Sequence, residues 1–205
     1  MSLKLRPYPD YTGFVLAELP KIPAQWQVKR IKDLFDETDL RALGGNRPLL
    51  SLTRGRGLIL HSEATSRLPS ANDFSNYKVA QVDDLVMNRM QAWSGMFSVC
   101  HTEGIVSPDY SVFRARQRHA SVTKYFELLF KTPYFVDEFA RRSKGIGLGF
   151  NRLYTPDFGS IPIAVPSNDE QQHIVSVTHA MDQMIGRLIR AKRRQIELLN
   201  EQKQA

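Results

Sequence analysis

Cysteine is almost absent from this chain. The single thiol, Cys100, can form no disulfide within the molecule, and its neighbours Met96, Phe97 and Val99 suit a small buried thiol better than a reactive one. Long hydrophobic runs are missing as well: the longest, at residues 49–52 and 161–165, are a few residues each, where a bilayer span needs roughly 20. Residues 1–10 carry Lys4 and Arg6 but no apolar core and no small-residue cleavage site, so they do not read as a signal peptide, and a cytoplasmic location with no membrane contact is expected. No low-complexity tract argues for disorder; with 42% apolar and 24% charged residues most of the chain is expected to fold, and 205 residues suit one domain with an appendage better than two domains.

Catalytic motifs are equally scarce. Ser107, Pro108, Asp109 and Tyr110 superficially resemble the Ser/Asp/Asn-Pro-Pro-aromatic motif of amino-methyltransferases but lack its second proline, and no glycine-rich cofactor loop after a strand accompanies them. Gly145, Gly147 and Gly149 fall at i, i+2 and i+4, whereas a dinucleotide loop needs G-x-G-x-x-G between a strand and a helix. A nuclease of the PD…(D/E)xK type could borrow Asp109 or Asp157, but the only E-x-K, at Glu201 and Lys203, lies in the polar tail. His61, His101, His119, His173 and His179 show no metal-ligand spacing, and without a second cysteine the usual zinc sets cannot form. Neither cofactor nor metal is expected, and the chain alone is expected to be catalytically inert.

What the sequence does carry is positive charge. The formal net charge is +7 and the pI about 9.6, which suits a polyanionic partner. Residues 114–152 hold nine Lys/Arg against three acids, whereas residues 167–205 hold six against five. Polyanion binding is therefore assigned to the front of the chain, and protein contact to its tail.

Pro7, Pro9, Pro20 and Pro23 oppose regular structure in residues 1–24, which read as a lead-in strap, with the domain proper starting near Trp26. Short β-type runs follow at residues 49–53, 58–60, 85–90, 97–101 and 110–114, and their spacing predicts a mixed, mostly antiparallel sheet. Helical periodicity marks residues 122–132 and 134–142, separated by Pro133, which suits a first helical turn. Residues 156–165 read as a turn and an edge strand, and Pro166 closes a domain of residues 1–166. Residues 167–205 contain no proline and one glycine; their cap candidates and early acids predict a single helix of roughly 55 Å. Ile174, Val177, Met181, Ile185, Leu188, Ile196 and Leu199 fall on a coiled-coil-like stripe that needs a partner. The fold class is thus α+β with a long helix expected to project.

Three clusters suit DNA reading. Arg47 with Arg54 and Arg56, the latter two set among Gly55 and Gly57, form a flexible basic turn able to meet guanine edges or phosphate. Asn88, Arg89 and Gln91 are the usual bidentate base readers and leave a strand beside Trp93. Arg141, Arg142 and Lys144 end a helix that opens into the glycine loop, with Asn151 and Arg152 beyond it, an arrangement suited to phosphate.

The order of motifs is similar to that of a known family. Met87 to Gly95, the run Glu103 to Phe113, the glycine loop, Ile161-Pro162-Ile163-Ala164-Val165-Pro166 and Glu170-Gln171-Gln172-His173-Ile174, with Pro23-Ala24-Gln25-Trp26 as an opening, resemble the specificity subunits of Type I restriction-modification enzymes. The resemblance covers about the whole chain. It implies an α/β target recognition domain for double-stranded DNA, a coiled coil between helical arms, and catalysis by separate methyltransferase and restriction/translocase subunits. Such subunits usually carry two recognition domains and two arms, and this chain has one of each, which marks it as a fragment or a natural half-subunit. A one-armed chain is then expected to homodimerise through the arm. A stand-alone DNA-binding regulator, dimerising through the same helix, remains the alternative.

Overall fold

The computed structural model describes residues 7–16, 19–44, 46–69, 71–117, 120–145 and 151–204. The chain starts with a hairpin, β1 (Tyr11–Leu16) and β2 (Leu19–Pro23), in place of the expected irregular strap. Pro20 and Pro23 are tolerated because a two-stranded sheet has only edge strands, and Phe14 and Ile22 tie the hairpin into the main core. Next come β3 (Gln27–Arg30), β4 (Phe35–Thr38), β5 (Leu50–Thr53), β6 (Gly57–Leu60), α1 (His61–Ala64), β7 (Lys78–Ala80), β8 (Leu85–Asn88), β9 (Phe97–Val99), β10 (Gly104–Val106) and β11 (Tyr110–Ala115). Helices α2 (Ala120–Phe130), α3 (Pro133–Arg142) and α4 (Thr155–Gly159), strand β12 (Pro162–Val165) and helix α5 (Asn168–Gln204) complete the chain. Residues 155–159 are thus a short helix where a turn was expected.

Among the described residues every strand pair is antiparallel, but the sheet is divided: a four-stranded unit ordered β4-β11-β8-β9 is accompanied by the pairs β1-β2, β3-β12, β5-β6 and β7-β10. Strand β8 shows why the central unit holds. Leu85, Val86 and Met87 are all buried, because both faces of the strand are covered. Leu85 and Met87, with Phe113 on β11, join a phenylalanine-rich core roofed by α2, α3 and α4. Val86 and Val112 point the other way, into a second core with Leu50, Leu52, Leu58 and Cys100. The period of two along each strand therefore feeds two cores from one sheet. In the larger one Phe97 stacks on Phe158 at 5.6 Å, and Phe113 meets Phe158 at 4.9 Å. Cys100 is fully buried, and burial pushes its thiol up to about 11, as the sequence suggests for a packing residue.

Helix α5 packs against α2 at its start, where Ile174 and Val175 rest on the main core. Ile174 is therefore a docking residue of the arm onto its own domain, which corrects its place in the free stripe. From Met181 onward the apolar side chains are left largely open among the described residues: Met181, Met184, Ile185, Leu188, Ile189, Ile196, Leu198 and Leu199 are between 44% and 63% exposed. The helix projects, and among the described residues none is long and apolar enough to cross a membrane.

Candidate nucleic-acid interface

The turn that follows β8 is held by its own polar side chains. Asn88 accepts from the Met90 N–H through Oδ1 at 3.1 Å and donates through Nδ2 to Gln91 Oε1 at 3.2 Å. Trp93 donates Nε1–H to the Met90 carbonyl at 2.9 Å, and Ser94 closes onto the Gln91 carbonyl at 2.9 Å. Two of the expected base readers, Asn88 and Gln91, thus shape the turn, while Gln91 and the ring of Trp93 stay exposed. Gly95 ends the turn at φ +75°, with Val136 of α3 only 3.2 Å from where a Cβ would stand, so α3 backs the turn at close range.

Arg89 turns inward. It donates to the carbonyls of Asp109 at 2.8 Å and Pro108 at 3.1 Å, with the Asp109 carboxylate 3.8 Å away. The Ser107-to-Tyr110 segment, set aside above as a catalytic motif, is therefore the seat of this arginine. Arg152 reaches the same carboxylate at 3.2 Å, and the Leu153 N–H donates to the Arg89 carbonyl at 3.0 Å. The second and third sequence clusters are adjacent in space, with Asp109 between their arginines.

The remaining cations of the third cluster are paired. Arg141 and Arg142 both bind Glu138, at 2.8 and 2.5 Å, Arg142 also donates to Ser160 Oγ at 2.9 Å, and Lys144 meets Asp157 at 2.9 Å. Burial opposes ionisation of Glu138, but the hydrogen bonds and charges of the two arginines outweigh it and hold the carboxyl below its usual range. Lys144 and Arg152 exchange backbone hydrogen bonds at 2.9 Å, closing the neck of the glycine loop. Asn151 is half-buried beside that neck, and residues 146–150 lie outside the described residues.

The first cluster divides. Arg47 stands apart, donating to the Ala42 carbonyl at 3.2 Å and facing Glu103 at 3.8 Å. Arg54 and Arg56 occupy the β5-β6 turn, where Gly57 has φ +71° and a Cβ would lie 2.6 Å from Ser98 Oγ, a contact only glycine permits. Arg56 donates to the Glu63 carbonyl at 3.1 Å; among the described residues no carboxylate lies within 4 Å of Arg54. This turn faces Ser94 and Gly95 across a groove whose other side is α2. Sequence reasoning missed the α2 residues there, Lys124 and Lys131, which flank the buried Glu127 at helical spacing, a pattern that could have flagged them.

The arm is clamped to the domain at its first turn. Ser167 Oγ accepts from the Glu170 N–H at 3.3 Å, and Asp169 and Glu170 sit where the helix dipole favours acids. Both carboxylate oxygens of Glu170 lie 3.1 Å from Trp26 Nε1, and Tyr8 donates its hydroxyl to the same group. Burial, then the hydrogen bond to Glu170, push the Tyr8 phenol up to about 12. Trp26 and Glu170 belong to two of the sequence motifs noted above, and the fold brings them into contact over 144 residues. Among the described residues no three His, Cys, Asp or Glu side chains are placed to hold a metal ion.

No protein-family profile matches the chain. No curated protein matches it either. Solved structures do match it, among them the following two. A chain from work on complex assembly and conformational transition of the type I R-M system is 19% identical, with a TM-score of 0.55 over 83% of this chain and 41% of that one. The HsdS subunit from Thermoanaerobacter tengcongensis is 18% identical, with a TM-score of 0.52 over 83% of this chain and 40% of its own. The chain thus spans about two fifths of the length of the solved chains it matches, and at this identity the likeness concerns the fold: the chain has the α+β fold with a long helical arm that is found in the HsdS subunit of a type I restriction-modification system.

Proposed function

We propose that this chain is a DNA-reading module of a Type I specificity subunit, one target recognition domain with its arm, acting in the cytoplasm. The domain reads one part of a split site in double-stranded DNA. The arm docks methyltransferase subunits, and through the assembled complex the restriction/translocase subunit, while pairing with a second arm. Methylation and cleavage belong to those partners. One observation carries the reading: on a fold shared with HsdS, the turn that exposes Gln91 and Trp93 has Arg152 of the third cluster against Met90 and the Arg54–Arg56 turn of the first cluster across the groove from Ser94 and Gly95, and the arm that follows keeps its apolar stripe uncovered. The share of the HsdS chain that is matched is consistent with one repeat of a two-repeat subunit.

Arg89 and Asn88 are partly buried and held within the turn, so base contact falls to the exposed amide of Gln91 and the exposed ring of Trp93, whose N–H is already donated to Met90, and phosphate contact to Arg54 and Arg56. The test is selection of duplexes from a randomised pool by the immobilised chain. A short enriched motif of a few base pairs is expected, with no methyl transfer from S-adenosylmethionine and no cleavage with magnesium and ATP. A pool that stays random, or turnover by homogeneous protein, would overturn the reading.

A further inference from the structure

The groove between the β5-β6 turn and α2, which reaches the end of the 89–95 turn at Ser94 and Gly95, is densely charged. Arg54 and Arg56 line one side, Lys124 and Lys131 the other, with Glu127 at its base and Asp182 of α5 also on its wall. Four cations thus face two carboxylates. Glu127 has only 4% of its side chain exposed and is already committed: it accepts from Lys124 Nζ at 2.7 Å and from Lys131 Nζ at 2.5 Å. Burial works against its ionisation, yet the two lysines keep the carboxyl below its usual range, so it remains an anion that grips both.

An ammonium has three donors, and Glu127 uses one on each lysine. Up to two donors on each remain for a ligand, and the lysine side chains are 36% and 41% exposed. Without Glu127 these long side chains would be free to swing; with it they form a fixed pair opposite two arginines on a glycine turn. Phosphate oxygens suit this set: point charges and backbone accessible at glycines, with no side-chain amide among the six groups named.

We infer that this groove holds the sugar-phosphate backbone of the bound DNA, with Lys124 and Lys131 as contact residues and Glu127 as the positioning residue that aims them. The inference rests on the DNA-binding reading above and extends its Arg54 and Arg56 contacts to a two-sided groove by adding Lys124, Lys131 and the carboxylate that positions them.

The test compares the wild-type chain with the triple variant Lys124→Gln, Glu127→Gln, Lys131→Gln, which removes both cations without stranding the buried carboxylate. Affinity for a duplex is followed by fluorescence anisotropy between about 50 and 200 mM salt. Loss of two phosphate contacts should flatten the slope of log K against log salt by about 1.8 and weaken binding about 60-fold near 0.1 M salt, alike for every duplex. In parallel, lysine acylation of the wild-type chain with and without DNA should show Lys124 and Lys131 protected while Lys203 at the end of α5 stays reactive. The footprint decides alone if the variant does not fold. Binding by the wild type with both lysines unprotected, or with an unchanged slope in a folded variant, overturns the groove and leaves the DNA reading standing. Failure of the wild type to bind any duplex removes both.

Discussion

Changing Ile185 and Leu188 together to Asp tests whether the arm pairs with a second copy of itself. The two side chains are 51% and 60% exposed, so a little over half of each remains to be buried by a partner. Full burial of such a side chain contributes about 1.5–3 kcal/mol, which leaves about 1 kcal/mol for each, or about 4 kcal/mol for both residues on both arms of a two-fold pair. That corresponds to about a thousandfold in Kd. Aspartate removes this contribution and adds the cost of drawing carboxylates out of water, several kcal/mol in a closed seam. The wild type should therefore sediment as a dimer at micromolar concentration and the variant as a monomer. The folded domain should be untouched, because neither side chain is buried against it, and the near-ultraviolet circular dichroism of the two proteins should agree. A wild type that stays monomeric at high micromolar concentration, or a variant that still dimerises, refutes the account of the arm.

Two further outcomes follow from the ion pairs. Arg141→Ala with Arg142→Ala strands Glu138, whose side chain is only 10% exposed, so stability should fall by about 1–2 kcal/mol, with a Tm lower by about 3–8 °C in calorimetry. Because the folded carboxyl lies below its unfolded value, the pair's contribution is present at neutral pH and lost as pH falls through the folded pKa; the double variant should therefore differ from wild type at pH 7 and converge with it in acid, and an equal deficit at all pH values would refute the pairing. Asp109→Asn frees Arg152 from a half-exposed carboxylate and removes a negative charge beside Arg89, which the carbonyls of Pro108 and residue 109 still hold, so binding to non-selected duplexes should tighten about 2–5-fold with a steeper salt slope, and an unchanged slope in anisotropy would place Asp109 outside the interface.

The sequence was most legible where periodicity and burial act together. Strands β5, β6, β8, β9 and β11 and helices α2, α3 and α5 follow from apolar patterning, and Pro133 starts α3 as its ring geometry favours. Strands β3, β4, β7 and β10 are three or four residues long and carry too few apolar positions in a row to show a period. The amino-terminal hairpin was hidden by its prolines, which rule out a central strand but not an edge. Among site residues, type alone could not separate a reader from a scaffold: Asn88 and Arg89 have the right chemistry for bases, yet local backbone groups already claim them. Lys124 and Lys131 read in the sequence only as charge, since it takes the fold to bring a hairpin some 70 residues earlier opposite them.

The clamp between Trp26, Tyr8 and Glu170 bears on how a split site would be measured. A recognition domain on a loose tether could address half-sites at any spacing. Here the first turn of α5 is fixed by two hydrogen-bond donors from the amino-terminal segment and by Ile174 and Val175 on the main core, so the direction of the arm is set by the domain. From there the separation of two domains on paired arms depends on helix length, about 1.5 Å per residue and roughly 55 Å in all, against about 34–36 Å for one turn of DNA. Charge reinforces this division of labour. The near balance of residues 167–205 gives the arm little attraction for phosphate, whereas the excess of cations in residues 114–152 would draw a duplex to the domain. On the proposed reading, a rigid arm with little attraction for DNA and a basic domain that grips it would together make the distance between half-sites a property of the protein.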